Sequence, residues 1–348
     1  MRYFLFILFL FFNIAFVQAL TLEEQAKLMS TNIYNKMVVE LYQKGQAQQA
    51  VPYAEKVFNI RKDILGEKHP EALNSLANLA VIYQAVGRLD EALLLSEKSY
   101  VLHKQLLGEK HLGTLSSLNN LAMIYQVVGK LNESLPLSEK AYEQNKQVLG
   151  ENHLGTLVSL NNLVMIYKAV GRLDEALLLS EKAYEQHKRV LGEKHPETLK
   201  NLNNLALIYH TVGKLNKALL LSEKSYPLCM QELGEKHPVA IQSLNNLAGI
   251  YESIGKLNKA LPLYEKTYVL YKQVLGKKHS NTLASLNNLA GIYESIGKLN
   301  KALPLYEKSY VLHKQVLGEK HPNTLLSLNN LASIYKSIGR LDEALSFF

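Results

Sequence analysis

Seven of the eleven histidines, His69, His111, His153, His195, His237, His279 and His321, recur every 42 residues, the first pattern in this chain that could hold a metal. Zinc takes nitrogen ligands at about 2.0–2.1 Å, whereas equivalent points on stacked helices stand about 8–10 Å apart. Imidazoles so spaced cannot share an ion, and their expected role is to cap loops. His103, His187, His210 and His313 form no cluster with cysteine or acids. Cys229 is the single cysteine, which excludes an internal disulfide and leaves no CxxC pair. No GxxxxGK[ST], GxSxG, HExxH or GxGxxG motif occurs. Polar types recur at solvent positions, as in the SEK and DEAL segments. Catalysis needs one constellation, and a site made of repeating residues would be present several times. The expectation is no enzyme, no cofactor and no metal.

Asparagine is the other polar residue at constant phase. Asn78, Asn120, Asn162, Asn204, Asn246, Asn288 and Asn330 lie 42 apart. Asn in mid-helix costs about 0.5 kcal/mol relative to Ala, and no packing role requires it there. Its amide offers two donors and an acceptor, which suits the backbone of an extended peptide. The competing role is a ladder of Asn bonds between neighbouring helices. For the preceding Asn119, Asn161, Asn203, Asn245, Asn287 and Asn329, about 100° round the helix, the ladder is the expectation.

The elements that position these residues follow from the glycines. Fifteen of the 19 fall in an unbroken series of step 21, from Gly45 to Gly339, in two alternating contexts, so the true period is 42. Leu202, Leu205, Ala206 and Tyr209 stand at i, i+3, i+4 and i+7, one helical face; Leu215, Ala218, Leu219, Leu221 and Tyr226 form a second. Each half ends at a Gly expected to take the left-handed conformation. In the LGEKHP loop, Pro70, Pro196, Pro238 and Pro322 suit the first turn of the next helix. Pro136, Pro262 and Pro304 predict a modest kink in the second helix. Small residues mark close helix approach: Ala80, Ala122, Val164, Ala206, Ala248, Ala290 and Ala332 in the first helix, and Ala50, Ala92, Ser134, Ala176, Ala218, Ala260, Ala302 and Ala344 in the second. Tyrosines from Tyr83 to Tyr335 and from Tyr100 to Tyr310 make two aromatic ladders. One helix pair cannot hide its own apolar faces, so the units must stack.

The order Leu-x-x-Leu-Ala-x-x-Tyr, Gly, Leu-x-x-Ala resembles the tetratricopeptide repeat. The 42-residue unit, the LNNLA-x-IY core and the LGEKHP loop are similar to its kinesin light chain type. The resemblance covers about residues 25–348 and implies an all-α, right-handed superhelical solenoid. The divisions expected of the chain are a signal peptide (1–19), a degenerate first repeat (20–66), six regular units (67–318) and a truncated eighth (319–348). Val38 and Leu41 weaken the first copy at its Ala and Tyr sites, and Ser96, Ser138, Ser180 and Ser222 depart from the large residue the family prefers, which Tyr264 and Tyr306 restore.

Opposite the core face of the first helix, Lys200, Asn204, Leu207 and Thr211 form a stripe that recurs in every unit. The resemblance makes this stripe the concave groove that receives extended peptides. Val81, Met123, Met165 and Leu207 give units two to five an apolar floor, and Gly249 and Gly291 stand there in units six and seven, with Ser253 and Ser295 beside them. Those two glycines are open to two readings, close approach of a ligand main chain or simple duplication. Residues 243–276 and 285–318 differ only at Thr267/Ser309 and Tyr271/His313, and this favours duplication.

Met1-Arg2, fifteen residues apolar but for Asn13, and Val17-Gln18-Ala19 have the layout of a secretory signal cleaved after Ala19. An uncleaved anchor is the alternative, although fifteen residues are short for a span of about 20. The chain is 348 residues long, 47% hydrophobic, with net charge +8. That charge is spread along the sequence, unlike a nucleic-acid patch. The expectation is an exported (periplasmic or extracellular) scaffold for a protein or peptide partner, with no nucleic acid and no membrane after cleavage. The final unit stops at Phe347-Phe348 without a polar cap, which leaves two alternatives. One is a module that self-associates end to end. The other is the recognition arm of a larger protein, for example a caspase-like peptidase.

Overall fold

The computed structural model describes residues 20–340 and Asp342; the expected signal peptide (1–19), Leu341 and residues 343–348, Ala344 among them, lie outside the described residues. The first hairpin is α1 (Leu22–Gln43) and α2 (Ala47–Leu65). Next come α3 (Pro70–Ala85) with α4 (Leu89–Leu107), α5 (Leu112–Val127) with α6 (Leu131–Leu149), and α7 (Leu154–Ala169) with α8 (Leu173–Leu191). The array continues through α9 (Pro196–Thr211) and α10 (Leu215–Leu233), α11 (Pro238–Ser253) and α12 (Leu257–Leu275), and α13 (Ser280–Ser295) and α14 (Leu299–Leu317), to α15 (Pro322–Ser337). Among the described residues there is no strand, and no helix is long and apolar enough to cross a membrane.

From α3 to α13 each odd-numbered helix, the A helix of its repeat, packs on the B helix that follows and on the B helix before it, as a stacked solenoid requires. The core runs through the stack. Val164, Leu177 and Tyr184 of one repeat join Leu202, Leu205, Ile208, Tyr209 and Ala218 of the next, and Ile250 of the one after. Ala80, Ala206, Ala248 and Ala290 are buried where A and B helices meet, as are Ala92, Ala176, Ala218 and Ala260. Ser134 occupies the alanine site in α6 because its Oγ donates to the Ala122 carbonyl at 2.7 Å, which satisfies a buried hydroxyl.

From α3 onward, each A helix begins at a histidine. Nδ1 of each of the seven recurrent histidines accepts a hydrogen bond from the backbone N–H two residues on, at 3.0–3.2 Å. The imidazole thus takes the part of an N-cap side chain. The helix ends differ from expectation. The glycines that close the B helices, such as Gly66 (φ 88°, ψ 150°) and Gly276 (φ 85°, ψ 169°), are not left-handed helical. They are extended at positive φ, a region essentially confined to glycine, and this turns the chain from a B helix into the next A helix. Pro136, Pro262 and Pro304 lie inside unbroken helices, as do Pro52 and Pro227.

The solenoid returns on itself. A Cβ at Gly45 would fall 2.8 Å from His279 Cα, and one at Gly87 would fall 2.9 Å from His321 Cδ2 and 3.1 Å from the Leu317 carbonyl oxygen. Both contacts join residues 234 apart, so one superhelical turn takes about 5.6 repeats. The A–B turns of the first two repeats therefore rest on the inter-repeat loops of the last two. A cavity of about 1020 Å³ lies at this seam, lined by Val81, Gln84, Val127, His279, Leu283 and Leu317 among others.

Candidate binding groove

The repeats are held in phase by polar staples. Tyr83, Tyr125, Tyr167, Tyr209, Tyr251, Tyr293 and Tyr335 each donate their hydroxyl to the glutamate 28 residues earlier, on the preceding B helix. Six of these bonds measure 2.5–2.8 Å. The glutamate is that of the SEK or YEK triplet, or of Ala54-Glu55-Lys56 in the first repeat. The adjacent lysine reaches the other way: Lys98, Lys140, Lys182, Lys224 and Lys266 pair with loop Glu67, Glu109, Glu151, Glu193 and Glu235 at 2.5–3.1 Å. The expectation that SEK merely decorates solvent is therefore corrected: one residue grips the repeat ahead and the other the loop behind. Burial first, and then the bond to Glu139, pushes the Tyr167 hydroxyl up to about 12, so it stays a donor at neutral pH.

The stripe opposite the core is placed as follows. Asn78 and Lys200 are exposed, and Asn120, Asn162, Asn204, Asn288 and Asn330 are half-buried. Asn246 is buried. Met165 is 40% exposed, Met123 and Leu207 are half-buried, and Lys200 pairs with Glu197 at 3.3 Å. Two rungs of an asparagine ladder are present. Asn246 Nδ2 donates to the Asn203 carbonyl at 3.5 Å, and Asn288 Nδ2 to Asn245 Oδ1 at 3.0 Å. Among the described residues, Asn120, Asn162 and Asn204 form no such rung. Of the flanking asparagines, Asn203 is committed to the core: its Oδ1 accepts from Ser225 Oγ at 2.5 Å and its Nδ2 donates to the Val239 carbonyl at 3.4 Å. Cys229 is buried beside them, and burial pushes its thiol up.

Gly249 and Gly291 have a packing reason. A Cβ at Gly249 would stand 3.3 Å from Tyr264 Oη, and one at Gly291 3.5 Å from Tyr306 Oη. Tyr264 and Tyr306 lie fifteen residues on, and at the same offset stand Val81 and Ser96, Met123 and Ser138, Met165 and Ser180, and Leu207 and Ser222. The A-helix position is large and the B-helix position small in repeats two to five, and the sizes are exchanged in six and seven. Neither ligand approach nor duplication is needed to account for glycine there.

The groove changes character with this exchange. Tyr264 and Tyr306 donate to Glu252 (2.8 Å) and Glu294 (3.0 Å), and Ser295 Oγ donates to Glu252 at 3.3 Å. In the middle repeats the same edge carries Lys168 and His210. Desolvation lowers both pKa values, and for His210 the Lys168 charge adds to it. His210 Nε2 meets Ser253 Oγ at 2.6 Å. Among the described residues no group of histidines, cysteines and acids could hold a metal.

Stacked helical hairpins and an apolar core that runs through them define a repeat solenoid of the kind that presents an extended surface. The tetratricopeptide repeat pattern matches residues 30–105, 78–126, 113–188, 158–231, 239–310 and 282–348, and the chain belongs to the tetratricopeptide repeat family. That family is a repeat and indicates no catalytic domain. No curated protein matches the chain. Among solved structures, the apo quorum sensor NprR from B. thuringiensis is similar over 95% of this chain and 88% of its own, at 18% identity and TM-score 0.60. A Rap protein complexed with Competence and Sporulation Factor matches over 90% of this chain and 99% of its own, at 13% identity and TM-score 0.50. The repeats of a putative kinesin light chain from Podosopora anserina match 58% of this chain and 95% of their own, at 28% identity and TM-score 0.47.

Proposed function

We propose that this chain is a non-enzymatic scaffold that holds an extended peptide segment along the concave face of repeats two to five. Asn78, Asn120, Asn162 and Asn204 would bond the peptide backbone, and Met123, Met165 and Leu207 would form the apolar floor. The observation that carries this reading is selective commitment. The recurrent Tyr, Glu, Lys and His side chains serve staples or caps, whereas Asn120, Asn162 and Asn204 are half-exposed and unbonded. Met side chains adapt to varied apolar partners, which suits such a floor. The fold it shares with a Rap protein complexed with Competence and Sporulation Factor supports a solenoid that holds a partner. The test is a screen of immobilised random peptides, followed by titration of the best binder. The triple variant N120A/N162A/N204A should bind at least tenfold more weakly with unchanged helical circular dichroism. Unchanged affinity would refute the assignment.

Residues 1–19 direct export in this reading, and a mature N-terminus at Leu20, read by Edman sequencing of the native protein, is the expected result.

A further inference from the structure

Six of the seven inter-repeat loops place a glutamate directly after the glycine, and the sixth places Lys277 there. The loop glutamate is a junction for two lysines. One lies five residues before it and the other 31 residues after it. Glu109 shows the full arrangement, with Lys104 Nζ at 2.8 Å and Lys140 Nζ at 3.1 Å. Bonds from both ammonium groups hold its carboxyl down at about 2. Glu67, Glu151 and Glu193 are flanked in the same way, by Lys62 and Lys98, Lys146 and Lys182, and Lys188 and Lys224.

At the sixth loop both flanking lysines are retained and the carboxylate is replaced by a third lysine. Lys272 and Lys308 stand at the five-before and 31-after positions. Their Nζ atoms each lie 5.9 Å from the centre of the Tyr268 ring, and Lys308 Nζ donates to Tyr268 Oη at 3.3 Å. Three repeats earlier is the occupied counterpart. Lys182 Nζ donates to Tyr142 Oη at 3.0 Å and holds Glu151 at 2.7 Å. The lysine–tyrosine pair is thus the same in both places, and what differs is the anion. Among the described residues, Lys272, Lys277 and Lys308 take part in no ion pair, whereas each of the five other 31-after lysines does.

We propose that Lys272, Lys277 and Lys308 form a binding site for a phosphate group, which takes the position that the loop glutamate fills elsewhere. Two ammonium groups retained at the flanking positions, with a third at the glutamate's own place in the loop, favour a compact multivalent oxyanion over a single carboxylate or chloride. The bound phosphate bridges the sixth loop to α12 and α14, and so restores the staple between repeats six and seven. A ligand that binds only the folded chain raises its melting temperature.

Thermal melts of the mature chain test this in inorganic phosphate against sodium chloride of equal ionic strength, with O-phosphoserine as a second arm. Phosphate should raise Tm in the wild-type chain. Lys277→Glu supplies the missing carboxylate, so it should melt higher than wild type in chloride and gain less from phosphate. Lys236→Glu, with the same charge change on the loop before, should keep the full phosphate shift. Equal shifts with both phosphate compounds assign the site to the free ion, and a shift with O-phosphoserine alone assigns it to a phosphate carried on a side chain. A phosphate shift as large in Lys277→Glu as in wild type, or no shift with either compound, would overturn the proposal.

Discussion

At the scale of single residues, the hydrogen bond between an A-helix tyrosine and the glutamate of the preceding B helix recurs more regularly than any other polar contact between repeats. Tyr167 lies at its middle, with Glu139 at 2.6 Å and the Arg172 guanidinium 4.5 Å above its ring. Tyr167→Phe keeps the ring and removes the bond, which at a half-buried site is worth about 1 kcal/mol. Urea denaturation should show that loss, and Glu139→Gln in the same background should add little. A second residue-scale expectation concerns buried imidazoles. His103, His187 and His313 are buried, and Nδ1 of each lies 2.7–2.9 Å from the carbonyl oxygen four residues earlier. Desolvation is the largest influence on each and holds its pKa below the ordinary 6.5. The folded chain resists their protonation, whereas the unfolded chain accepts protons as pH falls below about 6.5. Stability from this source is complete above that pH and declines below it. Asn145 occupies the equivalent site in α6 and donates to the Ala141 carbonyl at 2.8 Å. Replacing all three histidines with Asn should therefore flatten the fall in Tm between neutral and mildly acid pH, as read by calorimetry.

At the scale of the element, each repeat balances volume across its own hairpin. Gly249→Met brings the residue of the third repeat into the sixth, where Tyr264 already fills the space, and overpacking of this kind costs about 1–3 kcal/mol. Tyr264→Ser alone leaves a cavity. The two together recreate the Met123–Ser138 pairing and should recover much of the loss, so chemical denaturation should show strong non-additivity. The helices themselves were legible in the sequence, because glycine spacing, apolar phase and the His-Pro loop all fix the same boundaries. The volume exchange was also written there, in the fifteen-residue offset between residue 249 and residue 264, but it becomes visible only when the two helices are seen in contact. The same holds for the staples. Tyr and Glu 28 residues apart, or Lys and Glu 31 apart, look like unrelated surface residues until stacking brings them together. The stripe of asparagines was legible as a phase. Which of them bond within the stack was not, since Asn246 and Asn162 have the same local sequence context but different neighbours.

At the scale of the whole molecule, the superhelix closes after about 5.6 repeats, with Gly45 against His279 and Gly87 against His321. No periodicity argument reveals that pitch, because it sums small rotations between successive repeats. Gly45 (φ 70°) and Gly129 (φ 80°) occupy equivalent turns, but only Gly45 abuts a second turn. Gly→Ala at either site strains a positive-φ turn, and only Gly45→Ala also pushes against His279. Small-angle scattering should therefore show a larger radius of gyration for Gly45→Ala than for Gly129→Ala. Desolvation lowers the pKa of both His279 and His321, as expected where one turn covers another.

The central claim is that the concave stripe is the ligand surface while the rest of the repeat serves assembly. Methyl NMR of 13C-methionine reads this directly, since Met123 and Met165 lie on the stripe and Met230 lies on the B helix α10. Titration with a peptide selected against the mature chain should shift the Met123 and Met165 signals in saturable fashion and leave Met230 in place. A saturable shift of Met230, with Met123 and Met165 unmoved, would contradict the account.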